Sequence, residues 1–293
     1  MNDRAIQTRA MTKKFAGFDL RDVTLSLETG SVLGLIGPNG AGKTTTIKLL
    51  GGLLKPDLGN VEVLGENPWG AGPTLRRKLG IVSDESQWYG PLSAADTEAW
   101  VKRLYPRWDS AGYEARLSDF GIDRRKRLSD LSKGQKMKFS LAVALSHEAE
   151  LIILDEPTSG LDPVSRSELL DTLHSVVAAG TTSILFSTHI TSDLERIADH
   201  IAFIMAGKIV FCEDIDSVLD RHAVIRGPAA LLDTALRAYV VGARHCGEAF
   251  EGLTDRAAEL RDAPPAGLSI ERASLEDIMV YTAREDYRVR AVA

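Results

Sequence analysis

The chain has 293 residues, 44% of them hydrophobic and 26% charged, enough to bury the core of one large domain or two. Its net charge of −6, from 35 basic and 41 acidic residues, speaks against a nucleic-acid partner, which needs a basic face. No run of about 18 apolar residues occurs, no apolar stretch follows Met1-Asn2-Asp3-Arg4, and Cys212 and Cys246 form no C-x-x-C pair, so the expectation is a protein of a reducing compartment that does not span a membrane by itself.

Residues 4–35 read as strands: Ala5–Lys14, then the alternating Val23–Leu27, then Ser31–Ile36, with a turn at Glu28-Thr29-Gly30. A helix is predicted from about Gly42 to Leu53, ending before Pro56, and Val61–Leu64 and Leu79–Val82 are two further strands. From about Trp88 the texture becomes helical and amphipathic, with Ser93 as an N-cap and Asp96 three residues on as an acidic capping-box partner. The basic run Arg124–Arg127 reads as a solvated face rather than a binding patch. Leu151–Leu154 and Ser183–Ser187 are short apolar runs of the kind that fill central parallel strands. Ile201–Met205 and Lys208–Cys212, joined around Gly207, read as a hairpin. Beyond about Ile215, short strands at Ala223–Arg226, Val240–Arg244 and Leu268–Arg272 mix with helices as a small α+β extension.

Gly37-Pro38-Asn39-Gly40-Ala41-Gly42-Lys43-Thr44-Thr45 fits the phosphate loop G-x-x-x-x-G-K-[ST] at every fixed position, between an apolar strand and a helix. Glycines let the backbone approach phosphate, successive N–H groups form an anion nest, and the helix N-terminus adds its positive dipole end. Lys43 is expected to reach the β- and γ-phosphates and Thr44 to sit on Mg²⁺, so the ligand class is a nucleoside triphosphate. A second helix start, Leu131-Ser132-Lys133-Gly134-Gln135, offers a hydroxyl and a close backbone N–H to another anion. Leu154-Asp155-Glu156-Pro157 ends a strand in two carboxylates. Ser159-Gly160-Leu161-Asp162 follows, with Asp162 placed to cap a helix ahead of Pro163, and His189 follows another core strand.

In this order the motifs resemble those of the ABC ATPase family over residues 4–215, with the overall cast of ABC-2 type exporter ATPases. Leu131–Gln135 resembles the signature sequence L-S-G-G-Q, with Lys133 at the position where glycine is commonest. The resemblance implies a P-loop NTPase, RecA-like α/β core with an antiparallel β-subdomain and an inserted helical subdomain at about 88–145, in an ATPase domain of residues 1–215, followed by an accessory α+β domain of residues 216–293. It implies that Asp155 helps hold Mg²⁺, that Glu156 orients and deprotonates the attacking water, and that His189 contacts the γ-phosphate and that carboxylate. Phe15 stands where an aromatic residue stacks on adenine. At the position of the Q-loop glutamine the chain has Asp84, nominated as a hard oxygen ligand to Mg²⁺, with Glu85 and Gln87 as alternatives.

Family cassettes work as head-to-tail pairs, so the resemblance also implies that Ser132, Gly134, Gln135 and Asp162 of a second copy complete the ATP site. The implied partner is an integral membrane permease at the cytoplasmic face of the cell membrane. The single cassette, the small extension and Ser274-Leu275-Glu276-Asp277-Ile278-Met279 are similar to drug, antibiotic and polysaccharide export ATPases. An importer ATPase is the alternative. A soluble, non-transport ABC ATPase is disfavoured because the chain has no second cassette and no room for a long coiled coil. A small-molecule P-loop kinase would explain neither Leu131–Gln135 nor Ser159–Asp162.

Overall fold

The computed structural model describes residues 3–83, 88–180, 182–233 and 235–292, and the chain divides into two compact units, Met1–Cys212 and Glu213–Ala293. The first unit opens with β1 (Arg4–Phe15), β2 (Phe18–Val23) and β3 (Ser26–Glu28), followed by β4 (Val32–Ile36), α1 (Lys43–Leu50) and β5 (Leu58–Val63). Strands β1, β2, β3 and β5 form an antiparallel sheet with β1 at its centre. The alternating stretch Val23–Leu27, expected as one strand, is split: β2 ends at Val23 and β3 begins at Ser26. At this break the hydroxyl of buried Thr8 donates to the Val23 carbonyl at 3.0 Å and accepts the Leu25 N–H at 2.8 Å. A side chain thus satisfies groups that a strand ladder would have used. The first helix is also shorter than expected, because Gly51 and Gly52 end it at Leu50.

The chain continues through α2 (Pro73–Arg76), β6 (Leu79–Val82), α3 (Ala94–Val101), α4 (Ser110–Asp119) and α5 (Lys133–Ser146). It then runs through β7 (Leu151–Asp155), α6 (Pro163–Ala178), β8 (Ser183–Thr188), α7 (Thr191–Ile197), β9 (His200–Met205) and β10 (Lys208–Asp214). The second sheet has the order β10-β9-β4-β8-β7-β6, and its β4–β9, β4–β8, β8–β7 and β7–β6 pairs are parallel. Every residue of β4, β7 and β8 is buried, as parallel strands covered on both faces require. Leu33, Leu35, Ile153 and Leu185 from this sheet share one apolar cluster with Ile6, Leu27 and Val63 of the antiparallel sheet, so the two sheets enclose a common core.

Helices α3, α4 and α5 carry a separate core around Tyr113, Leu117, Leu128 and Phe139. Its start is fixed by the predicted box: Ser93 accepts the Asp96 N–H at 3.1 Å, and Asp96 in turn accepts the Ser93 N–H at 3.1 Å. Arg124 of the basic run pairs with Glu98 and Glu114 rather than standing free.

In the second unit, α8 (Ile215–Arg221) precedes β11 (Ala223–Pro228), β12 (Gly242–Cys246), β13 (Ala249–Thr254), α9 (Ala257–Asp262), β14 (Ser269–Arg272) and α10 (Leu275–Val292). The sheet order is β12-β13-β11-β14, all antiparallel, which is the split β-α-β arrangement with two 3₁₀ turns between β11 and β12 where its first helix would lie. Strand β13 lies in the middle of this sheet, between two strands that the sequence does indicate. The stretch beginning Ser274-Leu275 is a helix start: Ser274 and Asp277 form a reciprocal cap, with the Asp277 N–H donating to the Ser274 hydroxyl at 3.1 Å.

Candidate active site

Strands β4, β8 and β7 are consecutive in the parallel sheet, and all three present their carboxyl ends on one edge. In open α/β sheets that edge is where ligands bind. Here it delivers, side by side, the Gly37–Thr45 loop, His189, and Asp155 with Glu156.

Gly42 caps α1 with φ 115°, a left-handed conformation open to glycine and strained for other residues, and the helix start carries no side-chain cap. The first-turn N–H groups are thereby directed at the loop, as an anion site requires. Lys43 is buried, and its Nζ lies 2.8 Å from the Gly37 carbonyl, 3.4 Å from that of Pro38 and 3.4 Å from Glu156 Oε1. Thr44 donates its hydroxyl proton to Asp155 Oδ2 at 2.9 Å.

Asp155 is buried, and burial pushes its carboxyl above the usual carboxylate range, against the opposing pull of the Thr44 hydroxyl. Its other oxygen, Oδ1, and the Ser187 hydroxyl are buried and make no hydrogen bond of standard geometry among the described residues, though the hydroxyl stands close enough to the carboxylate to pull against the effect of burial. An orphaned carboxylate oxygen beside a hydroxyl is a donor set suited to a hard cation. No group of three or more His, Cys, Asp or Glu gathers among the described residues.

Glu156 takes φ 51°, uncommon for a residue with a side chain, and its N–H donates to the Ser187 carbonyl at 2.8 Å. Its Oε2 lies 2.8 Å from His189 Nδ1, and the backbone N–H of His189 donates to the same oxygen at 3.4 Å. The carboxylate is thus held between the lysine ammonium and the imidazole.

The remaining expected residues stand apart from this group. Ser132 caps α5, accepting the Gln135 N–H at 3.2 Å, while the Gln135 side chain accepts the Ser132 N–H and donates to the Gly121 carbonyl. Asp162 caps α6 by accepting the N–H groups of Val164 and Ser165, and the Ser165 hydroxyl, together with these backbone bonds, holds its carboxyl below the usual range. Phe15 ends β1 with 42% of its surface exposed, its ring 6.5 Å from that of Phe18. Asp84, Glu85 and Gln87 lie outside the described residues. Sequence reading passed over Asp193, Thr158 and Arg166, which join at the back of the site. An acid in the first turn of a helix such as α7 reads as ordinary compensation of the dipole, and that hid Asp193.

Fold and site together define a nucleoside triphosphatase of the P-loop class. The family model described as ABC transporter matches residues 20–159. The chain is 33% identical over 208 residues to the bacitracin transport ATP-binding protein BcrA of Bacillus licheniformis, an alignment covering 70% of this chain and 68% of that one. It is 35% identical over 217 residues to the Nod factor export ATP-binding protein I of Rhizobium leguminosarum bv. viciae, covering 70% and 67%. Among solved structures, an ATP-binding subunit of an ABC transporter superposes with a TM-score of 0.67 at 28% identity, over 74% of this chain and 92% of that one. The chain belongs to the ABC transporter ATP-binding proteins, and it is the ATPase subunit of such a transporter.

Proposed function

We propose that this ATPase drives export through a separate membrane permease, with Glu156 as the general base of hydrolysis. The observation that carries the proposal is the position of Glu156, held 3.4 Å from Lys43 and 2.8 Å from His189 at the edge where the phosphate loop ends. Gly37–Thr45 bind the triphosphate through backbone N–H groups, with Lys43 on its terminal phosphates. Glu156 accepts the proton of the attacking water, and His189 fixes that carboxylate and reaches the γ-phosphate. Thr44 and Asp155 hold Mg²⁺, which when bound neutralises phosphate charge. The unpaired Asp155 Oδ1 supports that assignment.

Ser132, Gly134, Gln135 and Asp162 serve the site of a second copy of the chain in a head-to-tail pair, and Phe15 stacks on adenine. The ATPase domain corresponds to residues 1–215, and residues 216–293 form an accessory domain. No helix among the described residues is long and apolar enough to cross a membrane, so the spanning part falls to the permease, with this subunit peripheral on its cytoplasmic side. The export direction is supported by the relative named for Nod factor export.

Glu156→Gln tests the core of this reading. The amide keeps the shape and loses the base, so ATP turnover should fall by about 10²-fold or more while ATP binding persists and an ATP-loaded dimer accumulates in size-exclusion chromatography. Turnover at the rate of the unsubstituted protein would remove Glu156 as the base.

A further inference from the structure

Thr158, Arg166 and Asp193 meet at an ionic junction whose carboxylate is buried. Asp193, in the first turn of α7, is 1% exposed. Its Oδ2 accepts the Thr158 hydroxyl at 2.6 Å, and its Oδ1 accepts Nε–H of Arg166 at 2.6 Å. Arg166 also donates through Nη2 to the Ser192 hydroxyl at 2.8 Å, so its guanidinium grips two consecutive residues of α7. Thr158 is itself 1% exposed, so the carboxylate end of the cluster is shielded from solvent, while the Arg166 side chain keeps 29% of its surface exposed.

The three partners come from three pieces of the site. Thr158 is two residues beyond Glu156, in a turn where the Ser159 N–H donates to the Glu156 carbonyl at 3.2 Å and the Leu161 N–H to the Thr158 carbonyl at 3.2 Å. Arg166 lies in the first turn of α6, its N–H donating to the carbonyl of Asp162, the residue that caps that helix. Asp193 is four residues beyond His189, and its N–H donates to the Ile190 carbonyl at 3.2 Å. Ile190 is tied in turn to the Thr188 hydroxyl at 2.9 Å. The turn after Glu156, the start of the Asp162 helix and the His189 loop therefore converge on a single carboxylate.

We propose that Asp193 is a positioning residue of the ATPase reaction, locking the Glu156 turn, the Asp162-capped helix and the His189 loop into one rigid body. Its contribution is geometric. Glu156 is held in a left-handed backbone conformation that relaxes unless its surroundings fix it. The 2.8 Å contact between Glu156 and His189 depends on two segments, each anchored through Asp193. Nucleotide binding depends on the phosphate loop, which Asp193 does not touch. Loss of the junction should therefore appear in the chemical step and not in ATP affinity.

This proposal rests on the assignment of Glu156 and His189 to catalysis, and the experiment separates the two. Asp193→Asn, Arg166→Lys and Thr158→Val are measured for steady-state ATPase, ATP affinity and thermal unfolding, alongside Glu156→Gln. Each variant at the junction that folds should lose about 10- to 100-fold in kcat, the scale on which misplacement by about an ångström acts, while KM and Kd for ATP stay within about twofold. The Asp193→Asn, Arg166→Lys pair should lose no more than its worse member, because both break one unit. Asp193→Glu, which keeps the charge, should recover part of the rate. Arg166→Lys and Thr158→Val carry the test if Asp193→Asn does not fold. An unchanged kcat, a loss expressed in KM alone, or additive losses in the pair would overturn the positioning role while Glu156→Gln stays inactive. Full turnover by Glu156→Gln would overturn the assignment beneath it.

Discussion

Two glutamates contrast the two units of the chain. Glu156 sits in the left-handed region, beside a buried aspartate with one oxygen unpaired and a serine hydroxyl that makes no hydrogen bond of standard geometry among the described residues. Glu251, in the middle of β13, takes ordinary strand pairing and is saturated: Arg226 Nε at 2.7 Å, Arg244 Nη2 at 2.6 Å, and the Tyr281 hydroxyl of α10. Tyr281 and Arg226 hold the Glu251 carboxyl at about 2. Glu156 is strained in its backbone and stands beside unpaired groups, whereas Glu251 is neither strained nor short of partners. Under-satisfied polar groups mark a place built to receive something, whereas a saturated network marks a place built to hold itself together.

That contrast can be broken from either side. The largest effect is the loss of turnover expected of Glu156→Gln, with little change in stability. Glu251→Gln should do the opposite, leaving the ATPase site intact and destabilising the C-terminal unit by about 1–2 kcal/mol. That is less than a fully buried pair would lose, because both arginines reach solvent. The pH dependence has a fixed sign. Because the folded pKa lies below the ordinary 4.5, the stabilisation is complete above about 4.5 and is lost as pH falls towards about 2. Acid unfolding followed by circular dichroism should show that loss in the unsubstituted chain and lack it in Glu251→Gln.

The smallest effect is expected at Asp155, with the reverse sign. Its carboxyl is raised by burial, so folding favours the protonated form and the ionised form costs stability as pH rises through the folded value. Asp155→Asn should raise the melting temperature of nucleotide-free protein at pH 7, and should shift half-maximal ATPase activity to higher Mg²⁺ concentration. A fall in melting temperature would remove Asp155 from the class of groups held ionised at a cost.

How much of this was legible in the sequence depended on whether the signal was local. The phosphate loop, the Asp155-Glu156 strand end, His189 and the Ser93 cap each lie within a few residues of the feature that defines them. Strand β13 was missed because Gly252 interrupts its apolar pattern. That glycine is there for a close approach, since a Cβ would sit 2.8 Å from the Gly242 carbonyl on the neighbouring strand. The predicted strand over Val23–Leu27 failed because alternation does not reveal that the Thr8 hydroxyl, 15 residues from Val23, takes over its hydrogen bonds. Asp193 was invisible for the same reason: Thr158 and Arg166 lie 35 and 27 residues away, and only the fold brings them to it.

In the function proposed for this chain, the Gly37–Thr45 loop is half of an ATP site whose other half, around Ser132, comes from a second copy. The most direct measurement is ATP binding and hydrolysis by Ser132→Arg, since a bulky cation at the α5 cap should block closure onto a partner's nucleotide without touching the loop of its own chain. The variant should show unchanged ATP affinity as a monomer, no ATP-dependent dimer and no hydrolysis. Hydrolysis at the rate of the unsubstituted protein would contradict a site shared between two copies.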